Sequence, residues 1–189
     1  MRKIFITLLL VVASTTIQAQ EGLTWHTDMN QAVAVSTKEQ KPLFLFFTGS
    51  DWCGWCIRLQ KEVFKTPEFI AWAKDNVVLV ELDFPRRTPM SDELKKQNNE
   101  LQQVFGVRGY PTVWFAKPTV KDGKTNLEQL GSTGYVAGGP TTWIAGANQI
   151  IAKYLKDAPV KTEKDPAKKS TKKAAKKAII AIIKRNFQF

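Results

Sequence analysis

Residues 43 to 47 read Leu-Phe-Leu-Phe-Phe, five apolar positions without a polar break. Pro42 precedes the run and Gly49-Ser50-Asp51 follows it closely, so the run is short and bounded. A strand with one wet face alternates apolar and polar residues. An unbroken short run instead reads as a strand buried on both faces, the kind found inside a parallel sheet. Such a strand needs cover above and below. "VVLVEL" at 77–82 has the same character and predicts a second buried strand.

Helix signals fall between and around these strands. Asp28 predicts a cap on a helix running to about Glu39. Ile57, Leu59, Val63 and Phe64 are spaced to share one side of a helix. Thr66-Pro67-Glu68 is a helix start, with a capping hydroxyl and proline at the first position. Ser91 predicts a further cap, on a helix ending at Gly106. "PTVWFA" (111–116) predicts a third strand, Asp122-Gly123 a hairpin turn, and 127–130 the returning strand. Thr142 to Leu155 predicts the last helix of the body. Strands that alternate with helices early, then a late hairpin, give an α/β fold with a central mixed β-sheet flanked by helices. A length of 189 residues suits one such domain.

The buried run leads directly into "SDWCGWCIRL" (50–59), which holds both cysteines of the chain. Three readings compete. A structural disulfide would close so small a loop that it removes little entropy from the unfolded chain. A zinc site needs four ligands, and His26 is the only histidine. A redox pair is the third reading. A strand, a short turn and a helix start would place Cys53 at a helix N-terminus, where unpaired amides and the helix dipole favour a thiolate. Each unit of pKa depression corresponds to about 1.4 kcal/mol of anion stabilisation. Cys56, one turn on, would be more buried and placed to resolve a mixed disulfide.

Two motifs carry a family resemblance. "WCGWC" (52–56) resembles the W-C-x-x-C active site of the thioredoxin family, and "VRGYPT" (107–112) resembles that family's cis-proline loop. The likeness extends over roughly 40–155. "FTGSDWCGWCIRLQKEVFKTPEF" (47–69) looks most like the secreted bacterial thioredoxin-like proteins, to which the C-terminal domain of the periplasmic reductase DsbD is a related design. The resemblance implies a thioredoxin fold and thiol–disulfide exchange without a cofactor or metal. It implies Cys53 as the attacking thiol and Cys56 as the resolving one, the two forming a redox-active disulfide. Pro111 would be cis and shape a groove, the Tyr110 backbone would pair with an extended substrate, and Trp52 would line the groove. Trp55 would cover Cys56 or offer substrate an apolar contact.

One feature departs from that pattern. The family places a buried aspartate in the strand before the cysteines, and "LFLFF" has none. Proton transfer from Cys56 would then use water or a neighbour, with Asp51, Glu81 and Asp83 as candidates. Slower resolution or an altered reduction potential follows. The Gly-Trp dipeptide between the cysteines also leaves the direction of exchange open.

The termini are of different character. Arg2 and Lys3, the run Ile4–Ala13 and a small residue at Ala19 predict a secretory signal peptide over 1–19. Ten apolar residues fall short of the about 20 that span a bilayer. The net charge of +11 is unevenly spread: +2 over residues 1–19, +1 over 20–157 and +8 over 158–189. The body, the expected thioredoxin-like domain at 20–157, is near neutral and gives no reason to expect nucleic acid. The tail at 158–189 repeats lysine pairs (168–169, 172–173, 176–177) and reads either as a disordered extension or as a contact for an anionic membrane or envelope surface. Arg86 and Arg87 read as a solvated loop or as a guide for an acidic partner.

These readings converge on a periplasmic or secreted thiol–disulfide oxidoreductase acting on cysteines of exported proteins, in the direction of reduction. A redox partner protein would recycle the pair. The runner-up is a redox-inactive thioredoxin-like binding module or an envelope-attached chaperone.

Overall fold

In the computed structural model, which describes residues 22–121 and 124–157, the apolar run is the middle strand of a five-stranded sheet. The elements in chain order are β1 (Trp25–His26), α1 (Met29–Glu39), β2 (Leu43–Thr48), α2 (Gly54–Leu59) and a π-helical turn (Gln60–Phe64). There follow α3 (Pro67–Asn76), β3 (Val78–Asp83), α4 (Asp92–Val104), β4 (Thr112–Lys121), β5 (Lys124–Thr133) and α5 (Gly139–Asp157). The strand order is β1-β3-β2-β4-β5, with β1, β3 and β2 parallel and β4 and β5 antiparallel. The expected signal peptide, the Asp122-Gly123 turn and the lysine-rich tail lie outside the described residues.

All six residues of β2 are buried, because its alternate side chains enter two different cores. Leu43, Leu45 and Phe47 pack with Met29, Ala32 and Val33 of α1 and with Phe105 and Val107 after α4. Phe44 and Phe46 pack with Cys56, Leu59, Val63, Phe64, Phe69 and Trp143, from α2, the π turn, α3 and α5. Phe44 is the hub of the second core. Its ring lies 5.5 Å from Phe64 and Phe115, 5.8 Å from Trp143 and 5.9 Å from Phe69. The contacts with Phe64, Phe69 and Phe115 are edge-to-face, a geometry that adds about 0.5–1.5 kcal/mol per pair beyond the area buried.

The caps form as the sequence chemistry dictates. Asp28, Thr66 and Ser91 each accept a hydrogen bond from the amide three residues on, at 3.0, 3.4 and 3.3 Å. Other features differ from expectation. β1 is two residues long and carries no pattern of its own; it exists because Trp25 and His26 pair with Leu79 and Val80. β4 continues to Lys121 because β5 pairs with it far beyond the end of β2. Within β4, only residues 112–116 face β2, so Pro118 denies that neighbour no ladder hydrogen bond. α5 starts at Gly139, with Pro140 able to occupy the first turn. Ile57 does not share the buried side: it is 52% exposed, while Cys56, Leu59, Val63 and Phe64 turn inward. The π turn adds one residue to the helix, closed by the Lys65 amide bonding to the Gln60 carbonyl, and so brings both Val63 and Phe64 to the core.

Candidate active site

β2 ends at Thr48, and the turn that follows is built to deliver Cys53 to a helix start. The Cys53 amide donates to the Gly49 carbonyl at 2.8 Å. Gly49 must be glycine, since a Cβ there would sit 2.5–2.8 Å from the Trp52 indole. Ser50 and Asp83 close the turn from β3, the Ser50 amide donating to Asp83 Oδ1 at 2.8 Å. Cys53 is the N-cap of α2, and its Sγ accepts from the Cys56 amide at 3.2 Å. The two cysteines form a disulfide, with Cα atoms 5.2 Å apart. Cys53 retains 6% exposure and Cys56 none.

Around the pair the walls are aromatic. The Trp52 Nε1 donates to the Phe84 carbonyl at 2.8 Å, and its ring meets Tyr110 edge-on at 5.6 Å. Tyr110 is fixed from behind by Gln102, whose Nε2 donates to the phenol oxygen at 2.9 Å. The Tyr110–Pro111 bond is cis. The structure thus brings Cys53, Cys56, Trp52 and Tyr110 into one neighbourhood, with the cis-proline loop attached to it through Tyr110.

Trp55 points elsewhere. It is 55% exposed and packs on Tyr135 at 5.0 Å, so it does not form part of the Phe44 core. Arg58 lies 5.2 Å from both the Trp55 and the Tyr135 ring centroids. Glu62 ties this group together, accepting from the Tyr135 hydroxyl at 2.6 Å and from Arg58 Nε at 2.8 Å. The tyrosine hydroxyl first, then the guanidinium, holds the Glu62 carboxyl below its ordinary value. The Arg58–Glu62 spacing is visible in sequence as an i, i+4 pair. Tyr135 is not, because it lies 73 residues from Glu62 in the chain.

The three candidate proton acceptors separate. Asp51 accepts from the amides of Arg86, Arg87 and Thr88 at 2.9, 2.7 and 3.0 Å. The Arg86 amide, opposed by some desolvation and joined by those of Arg87 and Thr88, holds its carboxyl down at about 2. Asp51 therefore organises the 84–90 loop and is a very poor base. That loop is also not merely solvated: Arg86 stacks its guanidinium 4.0 Å from the Trp52 ring centroid, and Arg87 donates to the Asp51 carbonyl. Asp83 is engaged by Ser50 and by the Phe84 amide. Glu81 differs from both: burial, with the nearby Asp83 charge, pushes its carboxyl above the ordinary value.

Residues 29–143 match the thioredoxin-like domain family. The chain belongs to the thioredoxin-like family. The disulfide bond reductase DsbH of Chlamydia pneumoniae is 34% identical over 133 residues, which cover 70% of this chain and 75% of that one. The thioredoxin-related protein DsbJ of the same organism is 33% identical over 114 residues, covering 58% of this chain but only 33% of DsbJ. Among solved structures, a DsbH oxidoreductase superposes with a TM-score of 0.60 at 31% identity, covering 69% of this chain and 85% of its own. With this family, this fold and a bonded cysteine pair at a helix start, the thioredoxin-like chain is a thiol–disulfide oxidoreductase.

Proposed function

We propose that this chain reduces disulfides in exported proteins, with Cys53 attacking and Cys56 resolving. The observation that carries the reading is the asymmetry of the pair. Cys53 caps α2, retains 6% exposure and receives the Cys56 amide at 3.2 Å, while Cys56 is wholly enclosed. In the reduced state the same amide, and the dipole of the helical segment behind it, favour a Cys53 thiolate. That thiolate attacks a substrate sulfur, forms a mixed disulfide and releases the first substrate thiol. Cys56 then displaces the second, and the bonded pair described above is the product. A dithiol partner protein returns the pair to its reduced form.

The substrate groove is assigned to Trp52, Tyr110 and Pro111, with Trp55 offering an apolar contact at its rim. An export signal over 1–19, a thioredoxin-like domain over 20–157 and a tail over 158–189 make up the organisation of the chain. It works in the periplasm or outside the cell, and the tail's lysines suit an anionic envelope surface. Reduction is favoured as the direction because DsbH, the relative with 34% identity, is named a disulfide bond reductase. Insulin reduction driven by dithiothreitol tests the reading. Turnover by the native chain, lost in Cys53→Ser, is the expected result; a native chain without turnover would leave only a binding role.

A further inference from the structure

β2 and β3 run parallel in register, and their side chains alternate between the two faces of the sheet. Phe44, Phe46 and Leu79 belong to the core that contains both cysteines. Glu81 is the register partner of Phe46, and Asp83 that of Thr48. Alternation therefore puts Thr48, Glu81 and Asp83 on the cysteine face. Two of these groups are costly where they stand.

Thr48 is fully buried, and its hydroxyl has no hydrogen-bond partner among the described residues. An unpaired buried hydroxyl is destabilising, and valine would fill the same space without that cost. Glu81 is the second. It lines a cavity of about 260 Å³ with Trp25, Phe46, Gln60, Phe64 and Lys65. Gln60 follows Cys56 by one turn and its amide bonds to the Cys56 carbonyl, while Phe46 and Phe64 share the core of Cys56. The cavity wall thus includes the residue one helical turn after Cys56 and two core neighbours of Cys56. The charged groups facing Glu81 are Lys65, which follows the π turn, and Asp83 on its own strand; among the described residues lining the cavity, β1 and β2 contribute Trp25 and Phe46.

We infer that Glu81 is the proton acceptor for Cys56, and that the Thr48 hydroxyl is a polar station on the same face of the sheet. The inference rests on Cys56 being the resolving thiol. In the mixed disulfide, the Cys56 thiol proton passes to the Glu81 carboxylate. The Cys56 thiolate attacks Cys53 Sγ; the Cys53–Cys56 bond forms as the Cys53–substrate bond breaks. The substrate sulfur leaves with the electron pair and takes up a proton, and Glu81 releases its own through the cavity. Reduction of the pair by a dithiol partner runs these transfers in reverse. Partial burial suits the task, since it brings the acid closer in strength to the thiol it serves.

Stopped-flow reaction of the reduced full chain with 5,5′-dithiobis(2-nitrobenzoate) separates the two thiols. Attack by Cys53 releases one coloured thiolate, and displacement by Cys56 releases the second. Glu81→Gln is expected to leave the first release unchanged. It should slow the second by about 100-fold and abolish the low-pH inflection of its rate. Glu81→Asp should recover part of the loss, and Thr48→Val should slow the second release by a smaller factor. A second release in Glu81→Gln with native rate and native pH profile would overturn the assignment. Absence of the first release from the native chain would instead bring down the oxidoreductase mechanism, and this inference with it.

Discussion

The two faces of the sheet are built on the same backbone to different standards. On the α1 side, β2 and β3 contribute Leu43, Leu45, Phe47, Val78, Val80 and Leu82, all apolar and all buried. On the cysteine side, the same strands contribute Phe44, Phe46 and Leu79, but also Thr48, Glu81 and Asp83. The first face is apolar packing throughout. The second tolerates a half-buried acid and a hydroxyl without a partner among the described residues, on the face of the sheet that packs against Cys53 and Cys56. Stability is given up where chemistry needs polar groups, and the loss is confined to one side.

The largest expected effect isolates that side. Cys53→Ser should remove turnover entirely, and Cys56→Ser should stall as a mixed disulfide visible by mass spectrometry of the trapped adduct. Next come core truncations on the two faces. Phe46→Ala should cost about 3–5 kcal/mol and also alter the rate of thiol exchange; Leu45→Ala should cost about 2–5 kcal/mol and leave that rate unchanged. Urea midpoints paired with alkylation kinetics on the folded fraction check this, and equal kinetic damage from both variants would erase the contrast between faces. Gly49→Ala forces a Cβ into the Trp52 indole and should cost about 1–3 kcal/mol, with a changed tryptophan emission and reduced turnover.

Glu81→Gln probes the cost of the polar face through pH. The folded chain holds the Glu81 proton more tightly than the unfolded chain, so ionisation of this group opposes folding. The variant should melt higher than the native chain above the folded-state pKa of Glu81, and the gain should vanish in acid. Thermal melts across pH decide the sign. The smallest effect belongs to Trp55→Ala, which should change stability by about 1 kcal/mol or less. It should raise KM for a disulfide-containing peptide while leaving reaction with a small aromatic disulfide intact.

Much of this contrast is visible in sequence, because its causes are local. The unbroken run at 43–47 announces a two-faced buried strand, and Asp28, Thr66 and Ser91 announce helix starts through cap chemistry that acts over three residues. The cysteine spacing and the proline loop are equally local. What is illegible depends on distant partners. β1 exists only because β3 is beside it, and the length of β4 is set by β5. Ile57 fits a helical stripe on paper, but the inserted π residue and the position of Cys56 rotate the buried side away from it. Arg86 on Trp52, and Trp55 with Arg58 on Tyr135, join segments that no short window contains. The choice of Glu81 over Asp51 and Asp83 required knowing which carboxylates backbone amides and hydroxyls had already engaged.

The central claim is that the Cys53 sulfur is held as an anion by the amides of the helix it caps. Its most direct test is the rate of iodoacetamide modification of reduced Cys53 as a function of pH, read by peptide mapping. The expected profile has its inflection well below the value of free cysteine, about 8.5. An inflection at that value would contradict the account.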